Sequence, residues 1–155
     1  MIFGIAALVA VAALLGLRFW ALRRRPGVLV DGSNVMYWRD NKPDLRTLRR
    51  VVQTLARAGY RPSVVLDANA GHLLFGRYAG GAVFAGKLGL PVSRVHVVPK
   101  GTQADGYLLR AARDGGLSIV TNDRFRDWAD RFPEVTRKGH LIRGKVAGRR
   151  VILNV

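Results

Sequence analysis

Three aspartates in this sequence stand where catalytic groups of α/β proteins are usually found. Asp31 directly follows the apolar run Val28–Val30, and Asp123 follows the run 117–120 after two polar residues. Asp105 opens a segment with helical spacing. Short runs rich in Val and Ile are typical of buried parallel strands, and functional groups of open α/β sheets lie just beyond the carboxyl ends of such strands. We therefore expect the three carboxylates to meet at one edge of a sheet.

Clustered carboxylates point to metal chemistry, because they repel one another unless a cation neutralises them. Mg²⁺ and Mn²⁺ prefer oxygen ligands, and such an ion can activate a water and stabilise charge at a phosphorus centre. The chain has no cysteine, and its three histidines (His72, His96 and His140) show no ligand spacing. The pattern indicates a divalent metal acting on a phosphodiester.

Other side chains near these aspartates could take part. Ser33 and Asn34 could orient Asp31 or hold a metal-bound water. Asp127 follows Asp123 by four residues and would face the same side of a helix. Any one of the aspartates could equally be a helix cap or a turn residue. The basic residues that could hold substrate phosphates are Arg39, Lys100, Arg124 and Arg126.

The charge of the chain indicates a polyanionic partner. Lys and Arg number 26 against 10 acidic residues, a formal net charge of +16. Only four of the basic residues lie among the first 25 positions. Such a surplus favours nucleic acid or anionic lipid as a partner, although a merely solvated basic surface is the alternative.

The first 25 residues predict a membrane anchor. Residues 2–17 carry no charge, Arg18 interrupts the apolar run near its end, and Arg23–Arg25 terminate it. About 20 apolar residues suffice to cross a bilayer as a helix. A cleaved signal peptide would carry its positive charge before the apolar core rather than after it. By the positive-inside rule, we expect a single-pass protein of the cell membrane whose residues 26–155 lie in the cytoplasm.

The remaining residues alternate between strand-like and helix-like segments. The expected strands are Val28–Asp31, Pro62–Asp67, Arg94–Pro99 and Leu117–Val120. The expected helices are Asp44–Ala58, one within Gly71–Gly89, Ala104–Arg113 and Arg124–Arg131, followed by an extended pair at His140–Arg143 and Arg149–Leu153. This order predicts an α/β fold with a mostly parallel central sheet and helices on both faces. Asp67 would then border the same edge as Asp31, either in the site or as a turn residue.

Two motifs in this order resemble a known family. Asp31–Val35 (DGSNV), then Asp105, then Thr121–Asp127 (TNDRFRD) are similar to the NYN domain of Regnase-like ribonucleases, within the PIN-like nuclease superfamily. The resemblance covers Val28 to about Leu153. It implies a PIN-like three-layer fold over residues 26–155 and an endoribonuclease that uses Mg²⁺ or Mn²⁺.

The resemblance also implies roles for particular residues. The implied metal ligands are Asp31, Asp105 and Asp123. Asp127 would be a supporting acidic residue, and Asn34 a polar group of the same catalytic site. Members of the group often carry two adjacent aspartates where this chain has Ala104–Asp105. A missing carboxylate could weaken metal binding or change the preferred metal.

Three functions remain in competition. The first is a membrane-anchored, metal-dependent endoribonuclease acting on RNA, which we expect to be single-stranded because a narrow acidic site needs a flexible backbone. The second is a non-catalytic RNA-binding module tethered to the membrane. The third is a basic domain that holds anionic lipid or a partner protein, which leaves the aspartates unexplained. Tyr37 and Trp38 could stack on an unpaired base or pack against the domain.

Overall fold

The computed structural model describes residues 11–17 and 25–154. Residues 11–17 are helical. In these two ranges, no helix combines the length and the apolar character needed to cross a bilayer. The predicted anchor at residues 1–25 lies for the most part outside the described residues, so it stays a prediction.

Six strands and five α-helices follow one another along residues 27–154. The strands are β1 (Gly27–Asp31), β2 (Arg61–Leu66), β3 (Val95–Val97), β4 (Ser118–Val120), β5 (Leu141–Ala147) and β6 (Arg150–Asn154). The α-helices are α1 (Gly32–Val35), α2 (Leu45–Arg57), α3 (Ala70–Phe75), α4 (Gly81–Leu88) and α5 (Ala104–Gly115). Short 3₁₀ turns occupy Val92–Arg94, Arg126–Trp128 and Pro133–Thr136.

The strands form one mostly parallel sheet, as the sequence predicts. Their order is β3-β2-β1-β4-β5-β6. The first five strands run parallel, with Val30 of β1 opposite Val64 of β2 and Val120 of β4. Only β6 is antiparallel, and it closes the sheet as a hairpin with β5. Since β1 lies between β2 and β4, the carboxyl ends of these three strands share one edge.

Two hydrophobic cores cover the two faces of this sheet and give the protein three layers. Val28 and Val30 point to one face, where they join apolar residues of α2 and α4. Leu29, between them, points to the other face and joins Leu108 and Leu109 of α5. Alternate residues of a strand face opposite sides of the sheet, so a continuous apolar run is buried on both.

Helix α2 shows why the local sequence signals were informative. The Asp44 side chain accepts a hydrogen bond from the Arg46 N–H at 2.9 Å and caps the helix. Leu48, Val51 and Leu55 then recur at helical spacing and are fully buried. Aspartate at the cap followed by this periodicity predicts the helix within one residue of its observed bounds.

Two expected helices differ from the observed ones. The single helix expected within Gly71–Gly89 is two helices, because Gly76 adopts a left-handed conformation (φ 69°) and ends α3. The helix expected at Arg124–Arg131 is wrong, since only the 3₁₀ turn Arg126–Trp128 forms there. Phe125 has a φ of 47°, which an α-helix cannot accommodate. Its buried ring belongs to the core beneath α5.

Candidate active site

Four aspartates line one pocket at the carboxyl edge of the sheet. Asp31 ends β1, Asp67 follows β2, Asp123 follows β4, and Asp105 lies in the first turn of α5. The pocket has a volume of about 200 Å³. Parallel pairing of β2, β1 and β4 brings three of these residues together, and the packing of α5 across the sheet adds the fourth.

Asp31 is the central carboxylate and is held at both oxygens. The Asn34 N–H donates to its Oδ1 at 3.1 Å, which makes Asp31 the cap of α1. The Thr121 hydroxyl donates to its Oδ2 at 2.9 Å from the neighbouring strand end. Asp31 is therefore a helix cap and a pocket residue at once, so the two interpretations of the sequence do not exclude each other.

Thr121 links Asp31 to Asp123. Its side chain is fully buried, and its oxygen accepts a hydrogen bond from the Asp123 N–H at 3.1 Å. Asp123 in turn accepts the Phe125 N–H on Oδ1 at 2.8 Å. This turn uses one carboxylate oxygen of Asp123 and leaves Oδ2 for the pocket. It also explains why the chain does not continue into an α-helix after Asp123.

Burial and mutual repulsion perturb the carboxylates. Loss of hydration raises the pKa of Asp31 to about 7; the hydrogen bonds from Asn34 and Thr121 oppose this shift, while the charges of Asp105 and Asp67 add to it. Burial also raises the pKa of Asp105, and the charges of Asp123 and Asp67 raise it further. Both pKa shifts show that no cationic side chain of the described residues neutralises the negative charge of the pocket.

Ser33 and Asn34 line the pocket but hold it together as well. The Ser33 oxygen accepts a hydrogen bond from the Asp67 N–H at 2.8 Å and so connects α1 to the residue that follows β2. Asn34 Oδ1 accepts two hydrogen bonds, from the Trp38 indole at 2.8 Å and from the Asn122 N–H at 3.0 Å. Both lone pairs of that oxygen are thereby engaged, so only the Asn34 amide NH₂ remains to face the pocket.

Gly32 serves close packing rather than an unusual turn. Its φ is not positive, but a Cβ at this position would lie 2.6 Å from a Leu66 methyl and 2.9 Å from the Val65 carbonyl oxygen. The start of α1 therefore rests directly on β2. This contact fixes the distance between the Asp31 turn and the end of the neighbouring strand.

Several predicted residues do not line this pocket. Asp127 is exposed in the 3₁₀ turn, because the helix that would have aligned it with Asp123 does not form. Arg39 pairs with the adjacent Asp40 at 3.3 Å in an exposed loop. Arg124 and Arg126 are exposed beside the pocket without lining it. Lys100 lines a neighbouring cleft.

The two aromatic residues after α1 pack against the domain. Tyr37 and Trp38 contact the core cluster formed with α2. A Cβ on Gly144 of β5 would lie 2.6 Å from the Trp38 ring, so this ring is pressed against the sheet edge. Neither residue lines the carboxylate pocket, so the observed contacts of this pair are packing contacts with the domain.

Three pocket features were missed or undervalued by sequence reasoning. Asp67 is a full member of the pocket, and its position after a buried strand was the signal. Thr121 gave no signal, because a threonine after a strand is unremarkable. Trp128 packs on Gly106, where a Cβ would lie 2.8 Å from the ring, and its indole hydrogen bond lowers the pKa of Asp105.

The donor set fits a hard divalent cation. It consists of carboxylate oxygens; burial and then the neighbouring carboxylates raise the pKa of Asp31 and of Asp105, and a bound cation would relieve the repulsion between these groups. Within residues 11–17 and 25–154, however, no three His, Cys, Asp or Glu side chains are gathered closely enough to form a ready-made metal site. The chemistry of the pocket therefore suits Mg²⁺ or Mn²⁺, while the side chains would have to draw together around the ion.

The mixed α/β fold, with its mostly parallel six-stranded sheet, is the one that the sequence predicts, and it is shared with proteins of known structure. Two solved structures of similar fold are of nuclear protein-only RNase P 2 from Arabidopsis thaliana. Both are 21% identical to this chain with a TM-score of 0.65; they cover 96% and 97% of it. The chain spans about a third of their length, 34% and 35%. The likeness concerns the fold and does not single out the Regnase-like group.

Comparisons at the level of sequence give no further assignment. No protein-family model matches the chain, and no curated protein matches it. The function therefore has to be argued from the pocket itself.

Proposed function

We propose that this chain is a metal-dependent endoribonuclease that hydrolyses RNA phosphodiesters. The observation that carries the proposal is the gathering of Asp31, Asp67, Asp105 and Asp123 in one pocket of a chain with a net charge of +16. The acidic pocket would attract a cation, and the basic surface around it would attract a polyanion. The fold likeness to part of a protein-only RNase P supports the choice of RNA.

Asp31, Asp105 and Asp123 would hold Mg²⁺ or Mn²⁺, with Asp67 beside them. When bound, the ion supplies Lewis acidity and lowers the pKa of a water. The chain contributes positioning, since Thr121 fixes Asp31 and Asp123 relative to each other through one hydroxyl. The Asn34 amide NH₂ can donate to a phosphate oxygen, because its carbonyl oxygen is held by Trp38 and Asn122. No covalent intermediate is required, because a water activated by the bound metal would serve as the nucleophile.

The substrate we propose is single-stranded RNA or a loop. A pocket of about 200 Å³ admits one phosphate group rather than the side of a duplex. Unpaired RNA can bend its backbone into such a site. The basic residues outside the pocket (Arg39, Lys100, Arg124 and Arg126) would then attract the flanking phosphates, each through a salt-sensitive contact.

We also propose that the enzyme is anchored in the cell membrane by residues 1–25, with residues 26–155 in the cytoplasm. The support is the apolar run 2–17 followed by Arg23–Arg25. The accessible substrates would then be RNAs that reach the inner membrane surface. Protease protection of the intact membrane, with an epitope at each end of the chain, tests this orientation.

The nuclease proposal is tested by incubating the full chain with labelled single-stranded RNA in Mn²⁺, Mg²⁺ or EDTA. Asp31→Asn and Asp123→Asn should abolish cleavage. Asp130→Asn, an exposed aspartate outside the pocket, is the matched control and should cleave as wild type. Cleavage that persists in EDTA or in both pocket variants would refute the proposal.

A second function is favoured by one observation. Ala104 lines the pocket at the position where Regnase-like proteins often carry a further aspartate. A non-catalytic RNA-binding domain would tolerate this loss. It predicts salt-sensitive RNA binding that Asp31→Asn leaves unchanged, with intact RNA in every metal condition.

A further inference from the structure

A second cleft opens directly beside the carboxylate pocket. It has a volume of about 380 Å³ and is lined by Ala68, Asn69, His72, Tyr78 and the segment Val98–Lys100. Asp67 of the carboxylate pocket and Ala68 of this cleft are consecutive residues, so their Cα atoms are about 3.8 Å apart. The two cavities therefore meet at consecutive residues of the segment that follows β2.

The cleft presents an exposed aromatic ring on a closely packed backbone. Tyr78 is 63% exposed, an unusual position for a large aromatic residue. The backbone beside it is packed closely, because a Cβ on Gly71 of α3 would lie 2.4 Å from the Ala79 nitrogen. Segment 77–79 thus lies directly against α3. Tyr78 projects from an anchored backbone rather than from a free loop.

Polar groups of suitable kinds border this ring. Asn69 stands at the N-cap position of α3, yet its side chain makes no capping hydrogen bond. His72 is exposed on α3, and Lys100 is exposed at the other side of the cleft. Val98, which is buried, provides an apolar floor. An apolar floor, an aromatic wall, an amide and a cation are the groups that recognise an unpaired base and its phosphate.

We infer that this cleft binds one nucleobase of the RNA, that of a nucleotide adjoining the phosphate in the carboxylate pocket. The inference rests on the proposed function, since it assumes an RNA phosphate beside Asp67. The base stacks on Tyr78. Asn69 and His72 hydrogen-bond to its edge, and Lys100 holds the neighbouring phosphate. The cleft therefore selects the site of cleavage by requiring an unpaired base at a fixed distance from the cleaved bond.

The experiment uses the full chain and a labelled single-stranded RNA in which an abasic nucleotide is placed at each position in turn. Binding is measured in EDTA, and cleavage is measured in Mn²⁺. Wild type should lose roughly ten-fold in affinity when the abasic nucleotide occupies one position beside the cleavage site, the effect of one base–aromatic stack. Tyr78→Ala should lose the same factor on intact RNA and become insensitive to that position.

Two variants serve as controls. Tyr78→Phe keeps the ring and should behave as wild type. Leu73→Ala removes another exposed apolar side chain of α3 that does not line the cleft, and it should also behave as wild type. Because Tyr78 is exposed, all three variants should unfold at the wild-type temperature.

The outcomes separate this inference from the nuclease proposal. If RNA remains intact but the abasic effect is seen and vanishes in Tyr78→Ala, the cleft is confirmed and the nuclease proposal fails. If wild type cleaves RNA but Tyr78→Ala binds and cleaves every abasic substrate as wild type does, the cleft is refuted alone. Self-association lost in Tyr78→Ala with RNA binding unchanged would also refute it, in favour of a second copy of the chain.

Discussion

Replacing Asp31 with asparagine should stabilise the metal-free protein while removing its proposed activity. Burial, followed by the charges of Asp105 and Asp67, raises the pKa of Asp31 from 3.8 to about 7. The folded state therefore holds a proton on Asp31 more tightly than the unfolded state does. The protonated Asp31 therefore contributes its full share to the free energy of unfolding below pH 3.8, and this contribution is lost as the pH rises to about 7.

The magnitude follows from the two pKa values. At about 1.4 kcal/mol for each pH unit between 3.8 and about 7, ionisation of Asp31 lowers the free energy of unfolding by about 4 kcal/mol. The uncharged amide of asparagine at position 31 avoids this loss of stability. Its oxygen can still accept the Asn34 N–H, but Thr121 must turn its hydroxyl, at a cost of about 1 kcal/mol. We expect Asp31→Asn to be about 2–3 kcal/mol more stable than wild type at pH 8.

The assay is urea unfolding of both proteins in EDTA and a mild detergent at pH 4 and pH 8. Only the difference between the two proteins is used, because the titration of groups that do not interact with Asp31 then cancels. The stabilisation should be present at pH 8 and absent at pH 4, and Mn²⁺ should stabilise wild type alone. A variant that is less stable than wild type by the same amount at both pH values would refute the reasoning.

Three further predictions concern the supports of the site. Thr121→Val leaves Asp31 Oδ2 and the Asp123 N–H without their hydrogen-bond partner. The free energy of unfolding measured in urea should fall by about 1–3 kcal/mol, and RNA cleavage should be slower. A variant as stable as wild type would contradict the role given to these two hydrogen bonds. Gly32→Ala places a methyl group 2.9 Å from a backbone oxygen of β2 and should lower the free energy of unfolding by about 1–3 kcal/mol. An unchanged melting temperature would contradict the close packing of α1 on β2. The Arg113 ion pair lowers the pKa of Glu134 to about 2, so its contribution is present above pH 4.5 and lost as the pH falls towards 2. Glu134→Gln should therefore have a lower melting temperature than wild type at pH 7 and the same melting temperature at pH 2. An equal difference in melting temperature at both pH values would contradict a stabilising Arg113–Glu134 ion pair.

The sheet could be predicted from the sequence because its strands are buried on both faces. A run such as Val28–Val30 has no alternation, and glycine or proline marks its end. The parallel order then follows from the intervening helices. Asp31, Asp105 and Asp123 could be placed at one edge because their positions depend only on where strands and helices end.

The failures began where local side-chain bonds competed with helix formation. Asp123 reads equally well as a helix cap and as a turn residue, and its acceptance of the Phe125 N–H decides for the turn. Asp127 does not lie beside Asp123, because the helix that would have aligned the two residues does not form. Arg39 and Lys100 lie outside the pocket, because the positions of long side chains on loops do not follow from sequence distance. Asn34 lines the pocket beside Asp31, but its bonds to Trp38 and Asn122 depend on tertiary packing, which the sequence does not show.

The strand order has a consequence for the protein during its own synthesis. Asp31 is on the first strand made, but its hydrogen-bond partner Thr121 is 90 residues later in the chain and reaches it only when β4 pairs with β1. A ribosome-bound chain that ends before residue 123 therefore has an incomplete pocket, however well β1 and β2 have paired. If the pocket cleaves RNA, a nascent chain emerging beside its own messenger stays inactive until β4 and Asp123 have been synthesised.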